Sequence, residues 1–256
     1  MNTILNIEKI SLSYHTKQGE IQAIKNISFD VSDGEFIAIV GSSGCGKTSI
    51  LSIIAGLLKP SDGKVFLFGK QIEKPTQSIG YMLQKDQLFP WRTIENNTML
   101  PLEIHGIKND ESKKKAVESL LKKYGLWEFR KSYPNQLSGG MRQRVALIRT
   151  LASSPKLLLL DEPFSALDYQ TRLAVCDDVY SIIKREKKTA ILVTHDISEA
   201  IALADRIIVL TNRPSKILNI HYIDTDKTIS PLKRRESKDF SSWFERLWRE
   251  LNYENA

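Results

Sequence analysis

No stretch of this 256-residue chain stays apolar for more than five residues, far short of the roughly 18 that a membrane-spanning helix needs. The chain is not expected to cross a bilayer unaided. Cysteine is scarce: Cys45 and Cys176 stand in unrelated contexts, which excludes a disulfide framework and makes a reducing compartment, by default the cytosol, the expectation. The opening MNTILNIEKISLSY lacks both a basic head and a small-residue cleavage site, so it reads as a first strand rather than a signal peptide. No internal repeat or low-complexity segment occurs, so one copy of the unit is expected per chain. What is present is a hydrophobic fraction of 41% with 26% charged residues, enough for a sizeable core and incompatible with a disordered or collagen-like chain.

The net charge of +7 is consistent with nucleic acid, an anionic membrane surface or simple solubility. Over half of the excess lies in residues 107–131, where eight basic residues face four acidic ones. The lysines there alternate with Ala116, Val117, Leu120, Leu121 and Tyr124 at helical spacing. That favours a solvated helix face, and no aromatic stacking platform accompanies it.

ILNIEKISLSY, IQAIKNISFDV and FIAIV read as strands, the last followed by a Gly-rich loop and a helix. KVFLFGKQI and SIGYMLQ read as further strands, giving an antiparallel sheet that flanks a mixed one. Residues 93–151 turn helical. LLLLDEP and TAILVTHD are short apolar runs ending in polar residues, typical of buried parallel strands, and a helix joins them across residues 169–184. RIIVLTN is read as the closing strand. In the tail, Phe240, Trp243, Phe244, Leu247, Trp248 and Leu251 share one helix face. It is expected to be a regulatory dimerisation surface, a permease contact or a lid on the chain's own core. The expected organisation is a domain over residues 1–220, with a helical subdomain at about 93–151, and a C-terminal extension over 221–256.

Gly41-Ser42-Ser43-Gly44-Cys45-Gly46-Lys47-Thr48 matches G-x-x-x-x-G-K-[ST] between a strand and a helix, and Ser49 follows it. Such a pattern arises by chance in about one chain of this length in a hundred. Glycines let successive backbone N–H groups turn inward around a phosphate, and the helix N-terminus adds positive potential. Lys47 is expected on the β and γ phosphates of ATP and the Thr48 hydroxyl on Mg²⁺. Asp161 and Glu162 close a strand of four leucines, and two carboxylates at a core edge need a cation or partner. Asp161 is the candidate magnesium ligand, and Glu162 the group that orients and polarises the attacking water. His195, ending AILVTH, is either a satisfied core-edge histidine or a γ-phosphate contact. Cys45 sits where N–H groups and Lys47 are expected to lower its pKa, although a small filler role is the simpler reading.

Leu137-Ser138-Gly139-Gly140-Met141-Arg142-Gln143-Arg144 resembles the signature of ABC-transporter ATPases. The resemblance covers residues 5–220. It implies an α/β P-loop NTPase (RecA-like) fold: a mixed-sheet core, an antiparallel β subdomain and an α-helical signature subdomain. It places Tyr14 at the aromatic position that stacks on adenine, Gln84 in the Q-loop as a catalytic and magnesium-facing group, Ser165-Ala166-Leu167-Asp168 in the D-loop and His195 as the switch histidine. Ser138, Gly139 and Gly140 would form a second phosphate cradle, so one chain carries two half-sites. The family's solution is a head-to-tail dimer, here of identical chains, that opens and closes with ATP hydrolysis.

The segment before the signature, Ser132-Tyr133-Pro134-Asn135-Gln136, looks like that of an importer. Asp86 to Asn97, with Phe89-Pro90-Trp91-Arg92-Thr93, resembles the nitrate, sulfonate and taurine importer group, as do Arg213-Pro214 and the tail tryptophans. Phe89, Pro90 and Trp91 are expected either in the core at a lobe junction or facing a permease helix. The implied partners are a second ATPase subunit, transmembrane permease subunits and, indirectly, an extracytoplasmic solute-binding protein, with the chain at the cytoplasmic face of the membrane. Aliphatic sulfonates or taurine rank first as solute, then nitrate or related small anions. The rival reading is a non-transport ABC ATPase acting on nucleic acid or a protein assembly, although no nucleic-acid partner is expected.

Overall fold

The computed structural model describes residues 2–16, 19–107 and 110–253; Lys108 of the basic stretch and residues 254–256 of the extension lie outside them. Strands β1 (Thr3–Thr16) and β2 (Gly19–Ser32) pair antiparallel, with Ile7 opposite Phe29 and Leu5 opposite Val31. β3 (Phe36–Val40) belongs to a second sheet, whereas β4 (Asp62–Leu67) and the short β5 (Lys70–Gln71) extend the first in the order β2-β1-β4-β5. β6 (Ile79–Met82), β7 (Leu157–Asp161), β8 (Thr189–Thr194), β9 (Arg206–Leu210) and β10 (Ile217–Tyr222) complete the second, ordered β10-β9-β3-β8-β7-β6. All its neighbours pair parallel except β10 on β9.

The five residues of β3 are all buried because both faces of this sheet are covered. Successive side chains point to opposite sides. Phe36, Ala38 and Val40 therefore join one core, with Leu158, Leu160, Ala190 and Leu192; Ile37 and Ile39 join the other, with Leu159, Ile191 and Val193. The second core is capped by the four-stranded sheet and by α1 (Lys47–Ile54), whose Ile50, Leu51, Ile53 and Ile54 face it.

The helical region runs α2 (Ile94–Ile104), α3 (Glu111–Lys123) and α4 (Gly139–Leu151). Thr93 and Asp110 cap the first two through their side-chain oxygens. α3 buries Val117 and Leu121 and turns most of its lysines outward, the solvated face expected of the basic stretch, although Ala116 is exposed too. α5 (Tyr169–Arg185), α6 (Ile197–Leu203), the short α7 (Pro231–Arg234) and α8 (Lys238–Tyr253) follow.

Two details differ from the sequence expectation. RIIVLTN does not close the sheet: β10 adds an antiparallel edge and spans the 220/221 position. The pattern ILNIHY hides it, because an edge strand with only His221 buried has no apolar run to betray it. The apolar face of α8 is also split: Phe240 and Leu247 are buried, whereas Phe244 and Trp248 are exposed.

Candidate nucleotide site

The site lies at the carboxyl ends of β3, β7 and β8, where an open parallel sheet leaves a crevice for ligand. After Val40 the chain turns back on itself, with Gly44 at φ 77° and Gly46 at φ 112°, a left-handed backbone that glycine adopts without strain. Gly46 is also the N-cap of α1, so the loop's N–H groups open onto the positive end of that helix. Lys47 is buried and its Nζ donates to the carbonyl oxygens of Gly41 (2.8 Å) and Ser42 (2.9 Å). This holds the ammonium at the loop mouth, from which it can turn to a phosphate.

Thr48 Oγ1 donates to Asp161 Oδ1 at 3.0 Å, and Tyr81 Oη donates to Asp161 Oδ2 at 3.3 Å. Burial raises the Asp161 pKa despite both bonds, and burial with the Asp161 charge lifts Tyr81 to about 12. An oxygen pair of this kind, one of them an anion penalised by burial, fits a hard divalent cation such as Mg²⁺. The glycine cradle over a helix N-terminus fits a polyphosphate. Tyr14, beside the first turn of α1, shares a hydrogen bond of 3.0 Å with Ser49 Oγ.

Next to these groups Glu162 has φ 44°, uncommon for a residue with a side chain. Such a conformation costs about 1–3 kcal/mol and persists where the surroundings over-determine it. Here Glu162 N–H donates to the Val193 carbonyl at 2.9 Å and Ser165 Oγ donates to the Glu162 carbonyl at 3.0 Å. The turn aims the carboxylate at two other candidate residues: Gln84 Nε2 donates to Oε2 at 3.3 Å, and His195 Nδ1 lies 3.1 Å from the same oxygen. Gln84, Glu162 and His195, distant in sequence, thus converge on one oxygen atom.

Ser138, Gly139, Gly140 and Asp168 form a separate cluster. Ser138 Oγ caps α4, accepting from Met141 N–H at 3.3 Å, and Asp168 Oδ1 caps α5, accepting from Thr171 N–H at 3.1 Å. The signature glycines are packed on α5 and the turn before it: a Cβ at Gly140 would stand 2.8 Å from Val175 Cγ2, and one at Gly139 would stand 3.0 Å from Leu167 Cδ2. Among the described residues no hydrogen bond or ion pair joins these four residues to the phosphate loop.

Several supporting groups carry no motif in the sequence. Asn212 accepts from Ser42 Oγ, and Arg213 Nε donates to the Gly44 carbonyl, so the loop after β9 braces the phosphate loop. Thr194 Oγ1 donates to Glu199 at 2.6 Å, and burial raises Glu199 to about 7. Arg172 on α5 pairs with Asp196 at 3.5 Å, tying the start of α5 to the turn after His195. Arg213-Pro214 was the one local signal for any of them.

Cys45 departs from expectation. Only 1% exposed, its thiol is raised by burial rather than lowered, because desolvation of the thiolate outweighs the attraction of Lys47. Its sulfur packs so tightly that a Cβ at Gly41 would lie 2.8 Å away, the filler role. Trp91 is not core either: it is 72% exposed, stacked on Phe89 with ring centroids 5.0 Å apart, while Leu88 beside them is buried.

A phosphate loop at the end of a parallel strand, a buried carboxylate beside its threonine and a carboxylate poised with glutamine and histidine define a P-loop ATPase cassette. The family model described as ABC transporter matches residues 24–165. An uncharacterized ABC transporter ATP-binding protein, YtlC of Bacillus subtilis, is 46% identical over 98% of this chain and 96% of its own. The aliphatic sulfonates import ATP-binding protein SsuB of Bacillus cereus is 37% identical over 97% of this chain and 96% of its own. Among solved structures, the dimeric post-hydrolysis state of the ATP-binding cassette MJ0796 bound to ADP and Pi superposes with a TM-score of 0.73 at 31% identity, covering 86% of this chain and 99% of that one. The chain belongs to the ABC transporter family and is one of its ATPases.

Proposed function

We propose that the chain is the ATP-hydrolysing subunit of an importer, working as a head-to-tail pair of identical chains on a membrane permease. The observation that carries this reading is the separation of two half-sites within one chain. Gln84, Glu162 and His195 converge beside the phosphate loop, whereas Ser138, Gly139 and Gly140 form an N–H-rich helix start elsewhere. A second chain turned through a two-fold axis brings each signature to the other's γ-phosphate.

In this arrangement Tyr14 stacks on adenine, and residues 41–49 wrap the phosphates with Lys47 on β and γ. Thr48 and Asp161, with Gln84 nearby, would hold Mg²⁺, which would supply positive charge to offset that of the phosphates. Glu162 accepts a hydrogen bond from the attacking water and orients it in line with the γ-phosphate, while His195 fixes the Glu162 carboxylate and reaches the γ-phosphoryl oxygens. Asp168 shapes the seam beside the signature. Release of the bridging charge lets the pair open, and that motion drives the permease.

The importer role is supported by SsuB, named for import, which matches nearly the whole chain. A small anion is the proposed solute, aliphatic sulfonates or taurine first and nitrate after them. The exposed stack of Phe89 and Trp91 is the proposed seat of a permease helix, an aromatic anchor of the kind that dominates interfaces. Such a subunit works at the cytoplasmic face of the membrane, fed indirectly by an extracytoplasmic solute-binding protein.

The test is Glu162→Gln with Mg-ATP. It is expected to keep nucleotide binding, lose turnover and accumulate as a dimer, and to retain a polytopic permease when drawn from native membranes. A variant that stays monomeric and fully active, or one that captures only nucleic acid, would refute the reading.

A further inference from the structure

α8 is seated firmly on its own chain. Leu247 is fully buried and Phe240 nearly so, and Glu250 Oε2 meets the buried His221 Nε2 at 2.8 Å. His221 also meets the Trp243 ring edge-on, with centroids 5.7 Å apart. These contacts fix the rotation of the helix, and in doing so they leave Trp248 facing outward, 54% exposed. About half of the residue's surface thus stays in water within one chain, surface that packing against a partner would remove. The place is specific. Trp248, Leu251 and Asn252 close one side of a cavity of about 450 Å³ whose other walls include Ser42, Ser43, Glu162 and His195.

At the other half-site, Gly139 and Gly140 rest on Leu167, Thr171 and Val175. Tyr169 lies between the first two of these in sequence, opens α5 and is 68% exposed. Thr171 and Val175 face α4, whereas Tyr169, two residues before Thr171, stands on another side of α5 and borders the surface that a partner presents to the signature. In the head-to-tail pairing proposed above, on which this inference rests, that surface is the cavity mouth of the second chain, where Trp248 stands.

We propose that α8 is a cross-subunit wall of the nucleotide site, with Trp248 of each chain packing on Tyr169 at the start of α5 in a second copy of the same chain. Two-fold symmetry makes the contact twice. The pair closes the γ-phosphate end of each site from beside the signature and restricts water there. Offset or edge-to-face rings suit a contact that must form and part with every cycle, since they add modestly to area burial without a buried charge.

The test uses full-length Glu162→Gln chains carrying different tags, one with Trp248→Cys and the other with Tyr169→Cys; both native cysteines are buried. A short bismaleimide is expected to join the two chains with Mg-ATP at least tenfold more than without nucleotide, and more than it joins either variant to itself. In the same Glu162→Gln background, Trp248→Ala is expected to raise the dimer dissociation constant about tenfold, as for an interface anchor. An ATP-dependent dimer that forms normally, with no enrichment of the mixed cross-link and an unchanged or tighter constant in Trp248→Ala, overturns the role of α8 alone. Absence of any ATP-dependent dimer in the parent overturns the pairing and this contact together.

Discussion

Gly140 is the position at which packing and function meet most tightly. An added methyl would lie 2.8 Å from Val175 Cγ2 and 3.2 Å from Thr171 Cγ2, well inside the roughly 3.5–4.0 Å optimum for carbon pairs. Inserting a methylene-sized group into such a helix contact costs about 1–3 kcal/mol. Replacing glycine in a helix returns at most about 1 kcal/mol, so a mid-range clash of ~2 kcal/mol leaves Gly140→Ala a net loss of ~1 kcal/mol. Val175, buried on α5, should lose about 1–3 kcal/mol when truncated to alanine. If the clash is the cause, the double variant must cost at least ~1 kcal/mol less than the two single losses together. Urea unfolding with unchanged m-values measures all four corners of the cycle. Because the clash pushes α4 away from α5 by a few tenths of an ångström, ATP-dependent dimerisation of the Glu162→Gln form should fall in Gly140→Ala and recover in the double variant. Single losses that add to within about 0.3 kcal/mol, or an unaltered Gly140→Ala stability, would refute the reasoning.

Glu199 offers a pH test: burial raises its pKa from 4.5 to about 7, so the folded chain binds a proton that the unfolded chain releases first. Its contribution is fully present below pH ~4.5 and is lost as pH rises through ~7, up to about 3 kcal/mol. Thermal unfolding between pH 5 and 8 should therefore show a steeper loss in the parent than in Glu199→Gln, and parallel curves would contradict the assignment. Both cysteines are buried, so the native chain should react negligibly with a thiol reagent, with or without Mg-ATP, and yield two thiols in urea; rapid labelling of Cys45 in the native state would contradict its burial. Trp91→Ala should change stability by less than about 0.5 kcal/mol because the ring is exposed, keep ATP binding and lose permease association; unaltered solute uptake would exclude Trp91 from the coupling surface.

The elements that the chain's sequence determined are those whose causes are local or periodic. FIAIV, LLLLD and TAILVT are apolar on both faces, and only a strand covered on both sides accommodates that pattern. Residues 41–48 owe their backbone path to local causes, the left-handed Gly44 and Gly46 and the helix starting at Lys47. His195 was legible as a candidate from its place at the end of a strand, and Ser138, Gly139, Gly140 and Gln84 through the family resemblance. The convergence of Gln84 and His195 on one oxygen of Glu162 was not, because it depends on the order in which β6, β7 and β8 lie side by side.

Tertiary structure alone decided what depends on which remote surfaces meet. The charge on Lys47 suggested a lowered Cys45 thiol, but burial against Gly41 outweighed it, and desolvation cannot be counted from neighbours in sequence. The aromatic run at residues 89–91 has the composition of a core, yet the fold turned Trp91 to solvent on the ring of Phe89. Asn212 and Arg213 became braces of a loop about 170 residues earlier because β9 lies beside β3. The periodicity of α8 promised a single apolar face. Its seating on His221 divided that face, burying Leu247 and leaving Trp248 on the cavity beside Ser42, Glu162 and His195, because the width of a helix's buried stripe is set by the surface it docks on and not by its own sequence.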